Sequence, residues 1–310
     1  MAAPSTDWKE VVADDEAARF ARQSEQVRAA HKLTTARYGQ GRFLHRKVLV
    51  GARAEVEVFA DLPAEARFGA FAQPGVHDAL VRLSNGSLEM QANTKPDIRG
   101  FALRILGVSG PGALGGEADH QDFLLINHDH FNAIDSDAFV EFATLAASGL
   151  PKTLWTLLRR HGFNGMVSRV KDLQETLTSP FAGYAAATFN TVVPHTVGPY
   201  AAKVQIVPEQ PEAMTGRDPG VDIVARLARG PIRYAIKLQF YTDPKSTPIE
   251  DHRVVWSSPQ VTVGRLTLLE PTDVEKSRLD PWSGLAAHRP LGEIMRSRKV
   301  AYRVSQLARD

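Results

Sequence analysis

In "ARAEVEVF" (52–59) apolar and charged side chains alternate from Ala54 on, which predicts a strand with one buried and one solvated face. "DALVRLSNG" and "IRGFALRILG" read as two further strands parted by a polar loop, and "QDFLLIN" adds a fourth run. The glycine-rich "GVSGPGALGGEADHQ" ahead of that run reads as a loop; no helix follows it, so it is not a phosphate cradle. Upstream, "DDEAARFARQSEQVRAAHKLTT" has the charge order of an exposed helix, acidic at its start and basic later. The stretch 136–177 is predicted helical, with Ser136 as a cap residue and Pro151 at the start of a second segment. Strands return at "YAAKVQIVPE", "IRYAIKLQFYTD", "HRVVWSS" and "QVTVGRLTLLE" before an irregular and then helical end. About eight strands with late helices and no regular β–α alternation predict an α+β protein, an antiparallel eight-stranded barrel with inserted and C-terminal helices. Neither a repeat nor a linker interrupts it, so one domain over 1–310 is expected, with 1–40 as an N-terminal helical segment.

Composition narrows the function classes. Hydrophobic residues make up 43% and charged residues 23%, as in an ordinary soluble protein. The formal charge is only +2 and the basic residues are scattered, which argues against nucleic acid as a partner. With no cysteine, thiolate catalysis, iron–sulfur clusters and thiolate-ligated haem are excluded. The N-terminus turns charged within a few residues, and no segment offers about 18 uninterrupted apolar residues, so no membrane span and a cytoplasmic location are expected.

Individually, the candidate residues are ordinary. His45 in "GRFLHRKV" is a lone histidine before the first strong strand. "NHDHF" at 127–131 is one His-x-His without the downstream cluster that a metal site needs. No serine stands in a nucleophile elbow. "RSRKVAYR" places Arg296, Arg298, Lys299 and Arg303 around Tyr302, which alone would be a solvated helix.

Taken in order, "RFLHRK", "VRLSNG", "DIRGFAL" and "RKVAY" resemble the haem-binding core of the catalase superfamily, from about Arg42 to the C-terminus. The ending "PWSGLAAHRPLGEIMRSRKVAYRVSQLAR" is similar to that of the small catalase-related haem peroxidases. The resemblance implies a haem b cofactor with Fe(III) ligated by Tyr302, and Arg298, four residues earlier, hydrogen-bonded to the phenolate. A free phenol titrates near about 10, so it needs the metal and a guanidinium to stay ionised. It further implies His45 as the distal acid–base, Ser84 as the residue orienting that imidazole, Arg42, Arg82 and Arg309 as haem-propionate ligands, and Asp97 beside the substrate channel.

The chain departs from the catalase pattern on the distal side. His120, with Gln121 beside it, takes the place of an asparagine that holds peroxide, leucines replace an aromatic pair, and Gly86 replaces a channel-narrowing valine. A peroxidase is therefore expected that reduces hydrogen peroxide or an organic hydroperoxide with a small organic reductant, as a possible homodimer. The alternatives are a fatty-acid hydroperoxide dehydratase, similar to the catalase-related allene oxide synthases, and a haem-binding barrel without turnover.

Overall fold

The computed structural model describes residues 3–307. Nine strands form one antiparallel sheet: β1 (Val48–Val58), β2 (Gly75–Asn85), β3 (Arg99–Pro111), β4 (Glu117–Ile126), β5 (Phe189–Asn190), β6 (His195–Val197), β7 (Tyr200–Pro208), β8 (Ile232–Phe240) and β9 (Gln260–Pro271). Their order is β5-β4-β3-β2-β1-β9-β8-β7-β6, and pairing of β5 with β7 closes eight of them into a barrel, with β6 flanking β7. Closure removes the free sheet edges that would otherwise invite pairing with another chain. The α+β barrel expected from the strand pattern is therefore the fold.

Alternation along the strands sorts side chains between two faces. Val81, Leu83, Phe101, Leu103 and Phe123 point inward and are fully buried, so the barrel is filled by its own side chains. The outward face of β2 and β3 is available for the helices and the site. Helices α1 (Glu16–Tyr38), α2 (Ser136–Leu145) and α3 (Leu150–Thr178) correspond to predicted segments. Val27 and Ala30 of α1 and Val140 and Ala143 of α2 form a satellite cluster with Phe43 and Leu88. α3 breaks at Gly162, whose φ of 68° lies in the left-handed region. Among the described residues, no helix is long and apolar enough to cross a membrane.

Three local expectations fail for physical reasons. "HRVVWSS" is not a strand: the Gln239 side chain donates to the Trp256 and Ser258 carbonyls at 2.9 Å each, which satisfies that backbone without a ladder. The glycine-rich stretch is mostly strand, because β3 runs on through a bulge to Pro111 and β4 starts at Glu117. Helix α4 (Pro219–Leu227), unanticipated, starts at an Asp218 cap that accepts from Gly220 N at 2.8 Å and Val221 N at 3.2 Å, with Pro219 as its first residue.

Candidate functional site

Strand register assembles the site on the outer barrel face. Arg82 and Ser84 lie two residues apart on β2 and so share that face, and Ser84 pairs with Gly100 of β3, which pairs with Ile126 of β4. The segment joining α1 to β1 folds over this row. His45 sits there at φ 50°, a left-handed conformation that a histidine holds only when its surroundings fix it. They do so from both sides: His45 N donates to the Gly86 carbonyl at 3.1 Å, and the Arg82 guanidinium donates to the His45 carbonyl at 2.8 Å. The ring then meets Ser84, with His45 Nδ1 and Ser84 Oγ 3.1 Å apart.

Gly100 makes that seat possible. A Cβ there would stand 2.6 Å from Ser84 Oγ and closer still to His45 Nδ1. Burial, and then the charges of Arg82, Arg298 and Arg42, hold the His45 imidazole down to about 3. The ring is therefore neutral at physiological pH, and in the tautomer that donates from Nδ1 to Ser84 Oγ its Nε2 carries the lone pair.

Helix α5 (Glu293–Leu307) brings the C-terminal motif to this region. Arg298 stacks over Phe139 of α2, 5.5 Å from the ring centroid, and its charge acts on His45, His195 and His252 alike. Arg296 has a separate task. It reaches Glu10 at 2.7 Å, Glu16 at 2.6 Å and Glu250 at 3.3 Å, while Glu10 also accepts from Arg289 at 2.8 Å and Gly292 N at 2.9 Å. The N-terminal segment thus straps α5 to the barrel. Lys299 stacks on Trp282. Replacing Arg296 with Gln would leave three carboxylates facing one another, which should cost about 2–4 kcal/mol. A thermal midpoint lower by roughly 5–10 °C would register it, and an unchanged midpoint would deny the strap any such role.

The expected site residues divide accordingly. His45, Ser84, Arg42, Arg82 and Arg298 come together, with Arg42 also donating to the Ser277 carbonyl. Asp97 lies beside them, accepting from Ser87 N at 3.1 Å and Gln91 Nε2 at 2.9 Å, and it braces the loop at Gly86. Gly86 does not open a channel, because a Cβ there would lie 3.0 Å from the Ile98 side chain. The Tyr302 side chain and all of Arg309 lie outside the described residues.

His120 and Gln121 do not join the site. Gly100 pairs with Ile126 while His120 pairs with Leu106, six residues along β3, which puts it about 20 Å away. His120 contacts Asp119 at 2.8 Å and Ser283 at 3.1 Å. Buried Gln121 accepts from Leu285 N at 2.9 Å, and Asp122 beside it holds Arg104 and Asp280 N. Both therefore brace the loop that leads to α5. Just past Ile126, the Asn127 side chain caps the end of the ladder, its Oδ1 accepting from Arg99 N at 2.6 Å.

The chain matches no family model and no curated protein. Among solved structures it is similar to a fungal catalase (TM-score 0.67, 17% identity, 87% of this chain and 59% of that one). It is likewise similar to catalase A from Saccharomyces cerevisiae (0.65, 17%, 87% and 60%) and to a bacterial catalase (0.64, 17%, 100% and 63%). At this identity the likeness establishes a catalase-type fold, and the chain spans about three-fifths of the length of these catalases.

The residues fit a haem. Three guanidiniums crowd one neutral imidazole, a field that a dianionic cofactor would neutralise. Within reach of the Arg298 charge, both ring nitrogens of His252 are buried without a hydrogen-bond partner among the described residues. Such orphaned polar atoms are costly unless a ligand or water meets them.

Proposed function

We propose that the chain is a haem-dependent peroxidase that reduces a hydroperoxide at the expense of a small organic donor. The observation that carries this reading is the His45–Ser84 pair seated on Gly100 among three arginines. Arg42, Arg82 and, by its place in the sequence motif, Arg309 would hold the propionates, and Tyr302, one turn beyond Arg298 on α5, would ligate the iron. Bound haem supplies the redox chemistry of peroxide reduction. The protein's own part is proton handling. Neutral His45 takes the hydroperoxide proton at Nε2 and returns it to the departing oxygen, while Ser84 holds the ring at Nδ1.

Ala102, Leu124 and Ile126 share the outward face with Gly100, so the wall beside His45 is apolar. That wall favours an alkyl hydroperoxide over hydrogen peroxide as substrate, and it keeps the dehydratase as the second reading. The deciding experiment is an absorption spectrum of the purified protein, followed by turnover of hydrogen peroxide and of a fatty-acid hydroperoxide. A high-spin ferric Soret band and a simple alcohol product with oxidised donor are expected, whereas an allene oxide or ketol would select the dehydratase. Tyr302→Phe is expected to lose haem or move the Soret band. An unaltered spectrum in that variant would remove Tyr302 from the iron.

A further inference from the structure

The α2–α3 region stands apart from the chemistry above and carries an unusual surface. Phe142 of α2 and Trp155, Leu158, Phe163 and Val167 of α3 are all exposed, Trp155 and Phe163 to 65% and 67%. Exposed aromatic side chains grouped on one element mark a contact surface. Between 150 and 171 the chain carries Lys152, Arg159, Arg160, Arg169 and Lys171 and no acidic residue. Glu141 of α2 pins the first half of α3 by accepting from Arg160 at 2.8 Å and pairing with His161 at 2.9 Å. Trp155 and Leu158 of the same half stay exposed.

We infer that the α2–α3 face docks on the surface of an anionic phospholipid bilayer, its aromatic residues entering the headgroup boundary and its cations meeting the lipid phosphates. Exposed aromatic side chains flanked by Lys152, Arg159 and Arg169, whose charges no acidic partner offsets among the ion pairs of the described residues, are the pattern of helices that lie in a membrane interface. A second copy of the chain is the poorer occupant, since a two-fold contact across this face would set Lys152, Arg159 and Arg169 against the same cations of the other copy. The break at Gly162 lets the two halves of α3 follow the surface separately. Position matters too: Phe139, three residues before Phe142, stacks on Arg298, so the docked face adjoins the proposed site. The inference goes beyond the haem reading and does not depend on it.

Flotation of the purified protein with vesicles of phosphatidylcholine and phosphatidylserine, and with pure phosphatidylcholine, is the test. Co-flotation with the anionic vesicles alone is expected, with a blue shift of Trp155 emission and about tenfold weaker binding in high salt. Trp155→Ser with Phe163→Ser, or Lys152→Glu with Arg159→Glu, should abolish binding while folding and any Soret band stay intact. No flotation, equal salt-independent binding to both vesicles, or a concentration-dependent dimer dissolved by Trp155→Ser with Phe163→Ser would each overturn the inference. Because flotation needs no haem, failure of the haem reading would leave a separate signature.

Discussion

Gly100→Ala is expected to cost nearly as much peroxide turnover as His45→Ala, although it adds a single methyl to a residue with no chemistry of its own. General acid–base catalysis by a positioned side chain is worth about 10²–10⁴ in rate, so His45→Ala should lose on that order while keeping haem. The Gly100 methyl would lie 2.6 Å from Ser84 Oγ and nearer to His45 Nδ1, and neither can retreat freely. Ser84 is fixed in the β2–β3 ladder, and the His45 backbone is pinned by Gly86 and Arg82. The ring must therefore swing away from Ser84, losing the contact that leaves Nε2 as base. Loss on the order of 100-fold or more, with an unchanged Soret band, is the expected kinetic result. Ser84→Ala, which removes the hydroxyl without filling space, should cost less. Near-normal turnover in Gly100→Ala would mean that the ring's seat is irrelevant to the reaction.

How much of this could be read from the chain depends on whether a contact is local. Arg82 and Ser84 are two residues apart on an alternating strand, and the four motif strings fall in chain order, so His45, Ser84, Arg82 and Arg298 were legible. The β3–β4 register was not. Which residue of β4 meets Gly100 depends on hairpin length, and reading the glycine-rich stretch as loop hid the extension of β3 to Pro111. The pairing then settles on Ile126, and His120 and Gln121 move to the far end of the barrel wall. Gly86 misled in a similar way, since a missing side chain leaves space only where no neighbour fills it, and Ile98 does. Arg296 looked like one more cation around a tyrosine. Its partners Glu10, Glu16 and Glu250 are far away in sequence and acquire meaning only when the N-terminal segment crosses α5. Long-range ion pairs leave no periodic trace in a sequence.

Acidification from pH 7 to pH 5 is expected to lower the protein's stability. Burial is the leading cause that holds His45, His195 and His252 down to about 3 and His288 to about 4. Structure reinforces this for His288, whose Nε2 accepts from Ala70 N at 3.0 Å and so must stay unprotonated. In the unfolded chain each would titrate near about 6.5, so below that pH the unfolded state takes up protons that the folded state refuses. The stability these four residues confer is complete above about 6.5 and drains away as pH falls toward their folded values. By pH 5 each of these histidines is expected to cost the folded state on the order of 1–2 kcal/mol relative to neutral pH. Urea titrations across this range should yield a slope approaching four protons between pH 6 and pH 5. His252→Gln, which cannot protonate, should lower that slope by about one. Stability that stayed level down to pH 5 would mean that these imidazoles carry protons in the folded protein, and with them the neutral base assigned to His45 would fall.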